Sequence, residues 1–436
     1  MRCARIHGVT SLLRGRALAA VATLLLAACE SGDAGVSGPK GRDAFARFVA
    51  IGTGFSAGVQ SGGLFYNSQE QAWPALLAHQ AGAAFVIPLL RSPGCPPPRI
   101  APVGLTRLLS GASSAGVDSS CAGTLATLAP PLDNLALPGA TAWAALSLTP
   151  KLVAAAPTRY SAGDRARYPL VLASTQSQLT AALVLHPTLV GVELGQAEVL
   201  SAATSGLLVQ ATSYTQATPF TYVPAAIFAP EFAAISDSLK RRSTARVALL
   251  GVGRISNLVA FRTGGELAAD RAGLAVAGVV VDANCDGNAN LINTAAGVPV
   301  LVARAQSALA PQPLSCADVP GTSDGVLTPA DVTALDAVVD QMNAQIKQVA
   351  DQNGWGFVDV NAVWAAARAA RAPYAAAVQL SCAYPYGQYV SLDGLQFNVA
   401  GQQLVANAAA AALNQRYGFS IPAVGVAPMT PSQLCP

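Results

Sequence analysis

Apolar residues along this chain gather into short continuous runs instead of alternating with polar ones, the pattern of strands buried on both faces. Five runs stand out: FARFVAI ending at Ile51, DNLAL near 135, TLVGVEL near 191, ARVALLGV near 248 and WGFVDV near 357. Between them the period becomes helical, in AWPALLAHQAG, TQSQLTAALVL and PADVTALDAVVDQMNAQIKQVADQ. Strands alternating with helices predict an α/β fold built on a parallel sheet. The last helix carries its own start signal, with Thr328 as N-cap, Pro329 at the first helical position and Asp331 in the first turn. Its stripe of Val332, Leu335, Val339, Met342, Ile346 and Val349 is spaced to face the sheet.

Two Pro/Gly-rich stretches interrupt this alternation, at about 88–128 and 264–326, and read as lids or ribbons inserted into one domain spanning 43–436. Before that domain the pattern differs. Arg2, Arg5, Arg14 and Arg16, with no acid among them, precede an apolar run from Ala17 to Ala28. The run is too short to span a bilayer and predicts a signal peptide over 1–28. LLAAC resembles the lipobox of bacterial lipoproteins, which implies lipidation and cleavage at Cys29 and leaves 29–42 as a flexible Gly/Ser tether. Glu30 after the cysteine resembles an outer-membrane address, so the expected place is the cell envelope, with the membrane reached through the lipid on Cys29.

Charge and cysteines refine this picture. The signal takes four of the 26 Lys and Arg, so 23 acidic residues exceed the remaining 22 basic ones by one. The Lys240, Arg241, Arg242 run is a solvated helix end, and no nucleic-acid footprint remains. Beyond Cys3 and Cys29, six cysteines fall into local pairs: Cys95 and Cys121, Cys285 and Cys316, Cys382 and Cys435. An even count suits disulfides in an oxidising compartment, and sequential pairing is the simplest of the connectivities open to six cysteines. With no CxxC and no neighbouring histidine, a zinc site is not expected, nor is any cofactor. DANCDGNAN places Asp282, Asn284, Asp286 and Gly287 like the start of a calcium loop, but its twelfth position is Asn293. The absent carboxylate favours an Asx-rich turn.

Four ordered blocks resemble the GDSL, or SGNH, hydrolase family. VAIGTGFSAGVQSGG is similar to the opening block, with Gly52, Ser56, Ala57 and Gly58 in place, Thr53 where the family has aspartate or asparagine, and Gly54 where it has the nucleophilic serine. LPGA at Leu137 to Ala140 resembles the second block, with Gly139 at the position whose N–H helps to hold an oxyanion. VELGQAEVL supplies Gly195 and Glu198 of the third block but has Ala197 in place of its asparagine. SLDGLQFNVAG resembles the Asp-x-x-His block, with Asp393 and Gly401 kept and Gln396 replacing the histidine. The resemblance implies a three-layer α/β/α SGNH-hydrolase (flavodoxin-like) fold with about five parallel strands and disulfide-tied loop insertions.

The replacements fall on the chemistry. Acyl transfer needs a nucleophile, a base in hydrogen-bond reach and donors aimed at the developing oxyanion. Gly54 has no hydroxyl, Gln396 takes no proton near neutrality and Ala197 donates nothing. In a triad protease, losing the nucleophile alone costs about a million-fold in turnover. The expected function is therefore a binding or scaffolding envelope lipoprotein, with a lipid, ester or glycan as ligand. The alternative is an active carboxylic-ester hydrolase using an unorthodox nucleophile such as Ser56, the nearest hydroxyl. His79 and His186 fall on the edge opposite the carboxyl ends of the strands and are structural, while Trp143, Trp355 and Trp364 are expected in the core.

Overall fold

In the computed structural model, residues 39–103, 121, 123–124, 131–216, 218 and 220–435 are described. The signal peptide, Cys29, the tether up to Gly38 and part of the first insertion lie outside the described residues. Four of the apolar runs are strands: β1 (Phe48–Gly52), β2 (Leu189–Glu193), β3 (Arg246–Leu250) and β4 (Gly356–Val358). All neighbours are parallel, with Phe48 opposite Leu189, Leu189 opposite Arg246, and Ala248 opposite Gly356. β1 and β2 are buried at every position, which is why their sequences do not alternate.

The fifth run, 133–137, joins the outer side of β1 through a single parallel bridge between Ala50 and Asn134. Ala50 N donates to Asp133 O at 2.9 Å, Leu135 N to Ala50 O at 2.9 Å and Leu137 N to Gly52 O at 3.1 Å. By chain position the sheet order is therefore 2-1-3-4-5, the flavodoxin-like order, whose topological switch lies between β1 and β2.

Helices cover both faces. In chain order they are α1 (Gly54–Ala57), α2 (Trp73–Gln80), α3 (Ala142–Ser147), α4 (Gln178–Val184), α5 (Ala197–Ser205), α6 (Ala225–Arg242), α7 (Pro329–Asn353), α8 (Val360–Ala369) and α9 (Val399–Tyr417). α2, α8 and α9 pack together on one face; α3, α4, α6 and α7 form the layer on the other. The result is the expected three-layer α/β/α fold. α7 starts as its sequence signals, with Thr328 and Asp331 forming a capping box, and buries Leu335, Val339, Met342 and Ile346. Lys240, Arg241 and Arg242 are exposed in the last turn of α6, where cations complement the helix dipole. Among the described residues no helix is long and apolar enough to cross a membrane.

The three disulfides are Cys95–Cys121, Cys285–Cys316 and Cys382–Cys435, the sequential pairing. In the first insertion, Leu90 bridges Thr124 as a short ribbon. The second does more than a ribbon would. Leu267, Leu274, Val279, Val298, Val302 and Leu314 pack into an apolar cluster of their own around Cys285 and Cys316. The calcium-like string lies there as a turn, with Asn284 bonded to Ser315 and to Cys316 N, and Asp286 paired with Arg271 at 2.7 Å. Among the described residues no group of three or more His, Cys, Asp and Glu is placed to hold a metal ion.

One contact fixes how α9 meets the loop before it. A β-carbon on Gly401 would stand 2.3 Å from Tyr389 O and 2.6 Å from a ring carbon of Phe397. Gly401→Ala is therefore expected to cost about 2–3 kcal/mol, because backbone as well as a packed ring must shift. The urea midpoint reads this loss, and an unchanged midpoint would refute the close approach.

Candidate functional site

In open parallel sheets ligands bind outside the carboxyl ends of strands at the switch point. Here those ends are Gly52 of β1 and Glu193 of β2, which lie opposite each other in register. The turn leaving β1 must fold back sharply, and Glu193 makes it do so. Its Oε2 accepts Thr53 N at 3.0 Å and Ser56 N at 3.1 Å, and the Ser56 hydroxyl also bonds to this carboxyl. Gln178 Oε1 accepts Gly52 N at 2.7 Å from the neighbouring helix α4. Gln402 of α9 accepts Trp73 N and donates to Phe55 O, tying the turn to the other helical layer. Burial pushes the Glu193 carboxyl up to about 7 against the pull of its donors.

This turn brings together the positions named by the sequence blocks. A β-carbon on Gly54 would stand 3.0 Å from Gln396 Oε1 and 3.2 Å from its Nε2, so the nucleophile and base positions of the resemblance face each other. Gln396 Oε1 is buried and has no hydrogen-bond partner. Asp393 is spent on structural bonds: within its own loop its Oδ1 accepts Leu395 N at 2.9 Å, Gln396 N at 2.8 Å and the Ser391 hydroxyl at 3.1 Å, and its Oδ2 accepts Gly62 N of a distant segment at 2.6 Å. Gly139 N donates to Thr53 Oγ1 at 2.9 Å, so the amide that would meet an oxyanion already has a partner.

Ser56 sits inside the turn, fully buried. Its Oγ accepts Trp73 Nε1 at 3.0 Å, and its carbonyl accepts Asn134 Nδ2 at 2.7 Å. These bonds join α2, the 133–137 segment and β2 around one residue. His79 and His186 are both exposed. His186 leads into the start of β2, and the loop after His79 approaches Arg42, which precedes β1, so both lie at the opposite edge. Neither reaches the Gly54 turn.

Beside that turn opens a cavity of about 320 Å³, lined by Gly139, Trp143, Arg159, Tyr160, Ala197 and Glu198 among others. Glu198, one residue into α5, is buried. Its Oε1 accepts Ala142 N at 2.7 Å and the Tyr214 hydroxyl at 3.0 Å, while Oε2 has no partner. Burial pushes this carboxyl too up to about 7. Arg159 lies 5.7 Å from the ring centres of both Trp143 and Tyr160, held by the carbonyls of Tyr214 and Thr215. Trp143 is thus a half-buried wall of the cavity, whereas Trp364 is fully buried, stacked 4.1 Å from Phe397. Trp355 packs half-buried against the main core.

Glu193 and Tyr214 carry much of this geometry and are not singled out by the sequence blocks as site groups; Thr53 is named there only as a replacement, not as the partner of Gly139. For Glu193 a signal exists: it is the one charged residue in the apolar run TLVGVEL, placed at the carboxyl end of a buried strand. Nothing in the sequence marks Tyr214.

An α/β protein with flavodoxin-like strand order and the positions of its four sequence blocks gathered at the switch point is the class that fold and site define. No family model matches the chain, and no curated protein matches it. Two solved structures align with it. A protein described as a GDSL-like lipase, from Parabacteroides merdae, shares 11% identity at a TM-score of 0.33, covering 84% of this chain and 94% of its own. A phospholipase A1 from Streptomyces albidoflavus shares 13% identity at a TM-score of 0.32, covering 85% and 98% respectively. Both alignments are too loose to carry residue roles across.

Proposed function

We propose that this chain is an envelope-anchored lipoprotein whose SGNH-hydrolase-like domain binds a ligand at the β1–β2 switch point without hydrolysing it. The observation that carries the reading is the Gly54 face. The nucleophile position holds no hydroxyl, the opposing side chain is a glutamine amide, and the Gly139 amide is occupied by the Thr53 hydroxyl. A site that stabilises an oxyanion needs free donors preorganised before the reaction; here the Gly139 amide is engaged and Ala197 has no side-chain donor. Ser56 offers no relief, since its hydroxyl is enclosed between Trp73 and Glu193, and neither described histidine, His79 or His186, bonds to it. The ligand would occupy the cavity beside Gly139 and Ala197, where Glu198 and Arg159 supply polar recognition within aromatic walls.

Hydrolysis of p-nitrophenyl acetate and butyrate by the purified mature domain tests this. The wild type is expected at the buffer rate, and Ser56→Ala is expected to match it. Gly54→Ser with Ala197→Asn and Gln396→His is expected to gain turnover. Adding Thr53→Ala, which frees the Gly139 amide, is expected to raise it about a hundredfold, in line with the worth of one oxyanion donor. Wild-type turnover abolished by Ser56→Ala would establish a working esterase instead. The anchor is checked separately: incorporation of a labelled fatty acid into the full chain is expected to disappear in Cys29→Ala, and labelling that persists would place the lipid elsewhere.

A further inference from the structure

A second cavity, of about 460 Å³, lies on the other flank of the 391–398 loop, between residues 60–71, the Pro98–Arg99 segment and the C-terminal tail 427–434. Its walls are fixed. Ser61 N and Gly62 N are bonded to Ser391 and Asp393. Asn407 of α9 exchanges two hydrogen bonds with Val424, Gln403 accepts Ala427 N, and the Cys382–Cys435 disulfide closes the tail beyond it. The tail is therefore held over the cavity by the rest of the fold.

The chemistry of the lining is one-sided. Among the described residues it includes one charged side chain, Arg99, and no carboxylate, while amides recur at Gln60, Asn67, Gln71, Gln403 and Gln433. Arg99 spends Nη1 on Ala295 O at 3.1 Å, but its Nε is buried without a partner. Gln60 is 4% exposed, and its Nε2 is likewise buried and unpartnered. A buried donor left unpaired costs about 1–3 kcal/mol, and native structures leave few. Two such donors from different segments, at one cavity whose described lining holds no acid, call for a ligand that brings acceptors and negative charge. Arginine and amide N–H groups together suit a carboxylate, and the surrounding amides suit hydroxyls or further amides on the same molecule.

We propose that this cavity is a binding site for a small carboxylate-bearing polar molecule, received by Arg99 and Gln60 and enclosed by the disulfide-fastened tail. The site is separate from the Gly54 face and stands whether or not that face hydrolyses esters. Calorimetric titration of the mature, disulfide-intact protein with D-glucuronate and with N-acetylglutamate, against D-glucose as the uncharged control, tests it. Saturable binding of at least one acid is expected, weakened about tenfold or more in Arg99→Gln, with glucose weaker by a similar factor. Gln60→Leu, which changes no charge, is expected to weaken the same acid and keeps the test sound should Arg99→Gln fold poorly. No saturable binding of either acid at about 10 mM, a range that detects millimolar affinity, would overturn the proposal. So would an affinity unchanged in folded Arg99→Gln and Gln60→Leu proteins.

Discussion

Glu193→Ala is expected to destabilise the protein by about 3–5 kcal/mol near pH 5.5, measured as a lowered urea midpoint at constant slope. The variant would strand two buried backbone donors, Thr53 N and Ser56 N, whose one shared acceptor is Glu193 Oε2. Each buried donor without a partner costs about 1–3 kcal/mol, and the lost side chain adds a cavity at the end of a fully buried strand. The damage would spread, because Ser56 also anchors the indole of Trp73 and the amide of Asn134. Glu193→Gln keeps an acceptor oxygen of the same shape and is expected to lose less than about 1 kcal/mol at that pH. Equal losses in the two variants would mean that side-chain volume, and not the acceptor, holds the turn.

How far sequence reaches into this structure depends on what each residue contacts. Continuous apolar runs reveal β1 to β4, because burial on both faces leaves no polar alternation to misread, and the capping box at Thr328 places the start of α7 to the residue. DNLAL is less plain. Asp133 and Asn134 are buried, and they serve as partners to Arg47 and Ser56 at the sheet's edge, so the run pairs through one bridge only. The second insertion reads as a lid or ribbon because its Pro and Gly density hides a modest apolar spacing. Leu267, Leu274, Val298 and Val302 are far apart in the segment and meet beside the Cys285–Cys316 disulfide.

The site divides in the same way. Gly54 and Gln396 could be named from local strings and are found facing each other across 341 intervening positions of chain, a juxtaposition the strings alone do not contain. The engagement of Gly139 by Thr53 was not legible, since it depends on two loops meeting at the switch point. The same holds for the cavity under the C-terminal tail, where Gln60 and Arg99 converge from separate segments. Pairs distant in sequence are set by topology, and sequence period carries no information on their approach.

Between about pH 4.5 and pH 7 the stability of the protein is expected to fall as pH rises, by about 3 kcal/mol for each of Glu193 and Glu198. Burial holds both folded carboxyls up to about 7, against an ordinary value of 4.5 in the unfolded chain. Below 4.5 both states carry the proton and the full contribution is present. Across the window the unfolded state releases protons that the folded state keeps, so each rise in pH favours unfolding until the folded carboxyls ionise as well. The two groups reinforce each other, since the charge on Glu198 further raises Glu193. Urea midpoints of the wild type and of Glu193→Gln with Glu198→Gln, taken at pH 5 and pH 8, separate this effect from every other titrating group. The double variant is expected to gain on the wild type by several kcal/mol at the higher pH. Parallel behaviour of the two proteins would mean that these carboxyls ionise in the fold as readily as in water, with donors at the β1 turn strong enough to hold both charges.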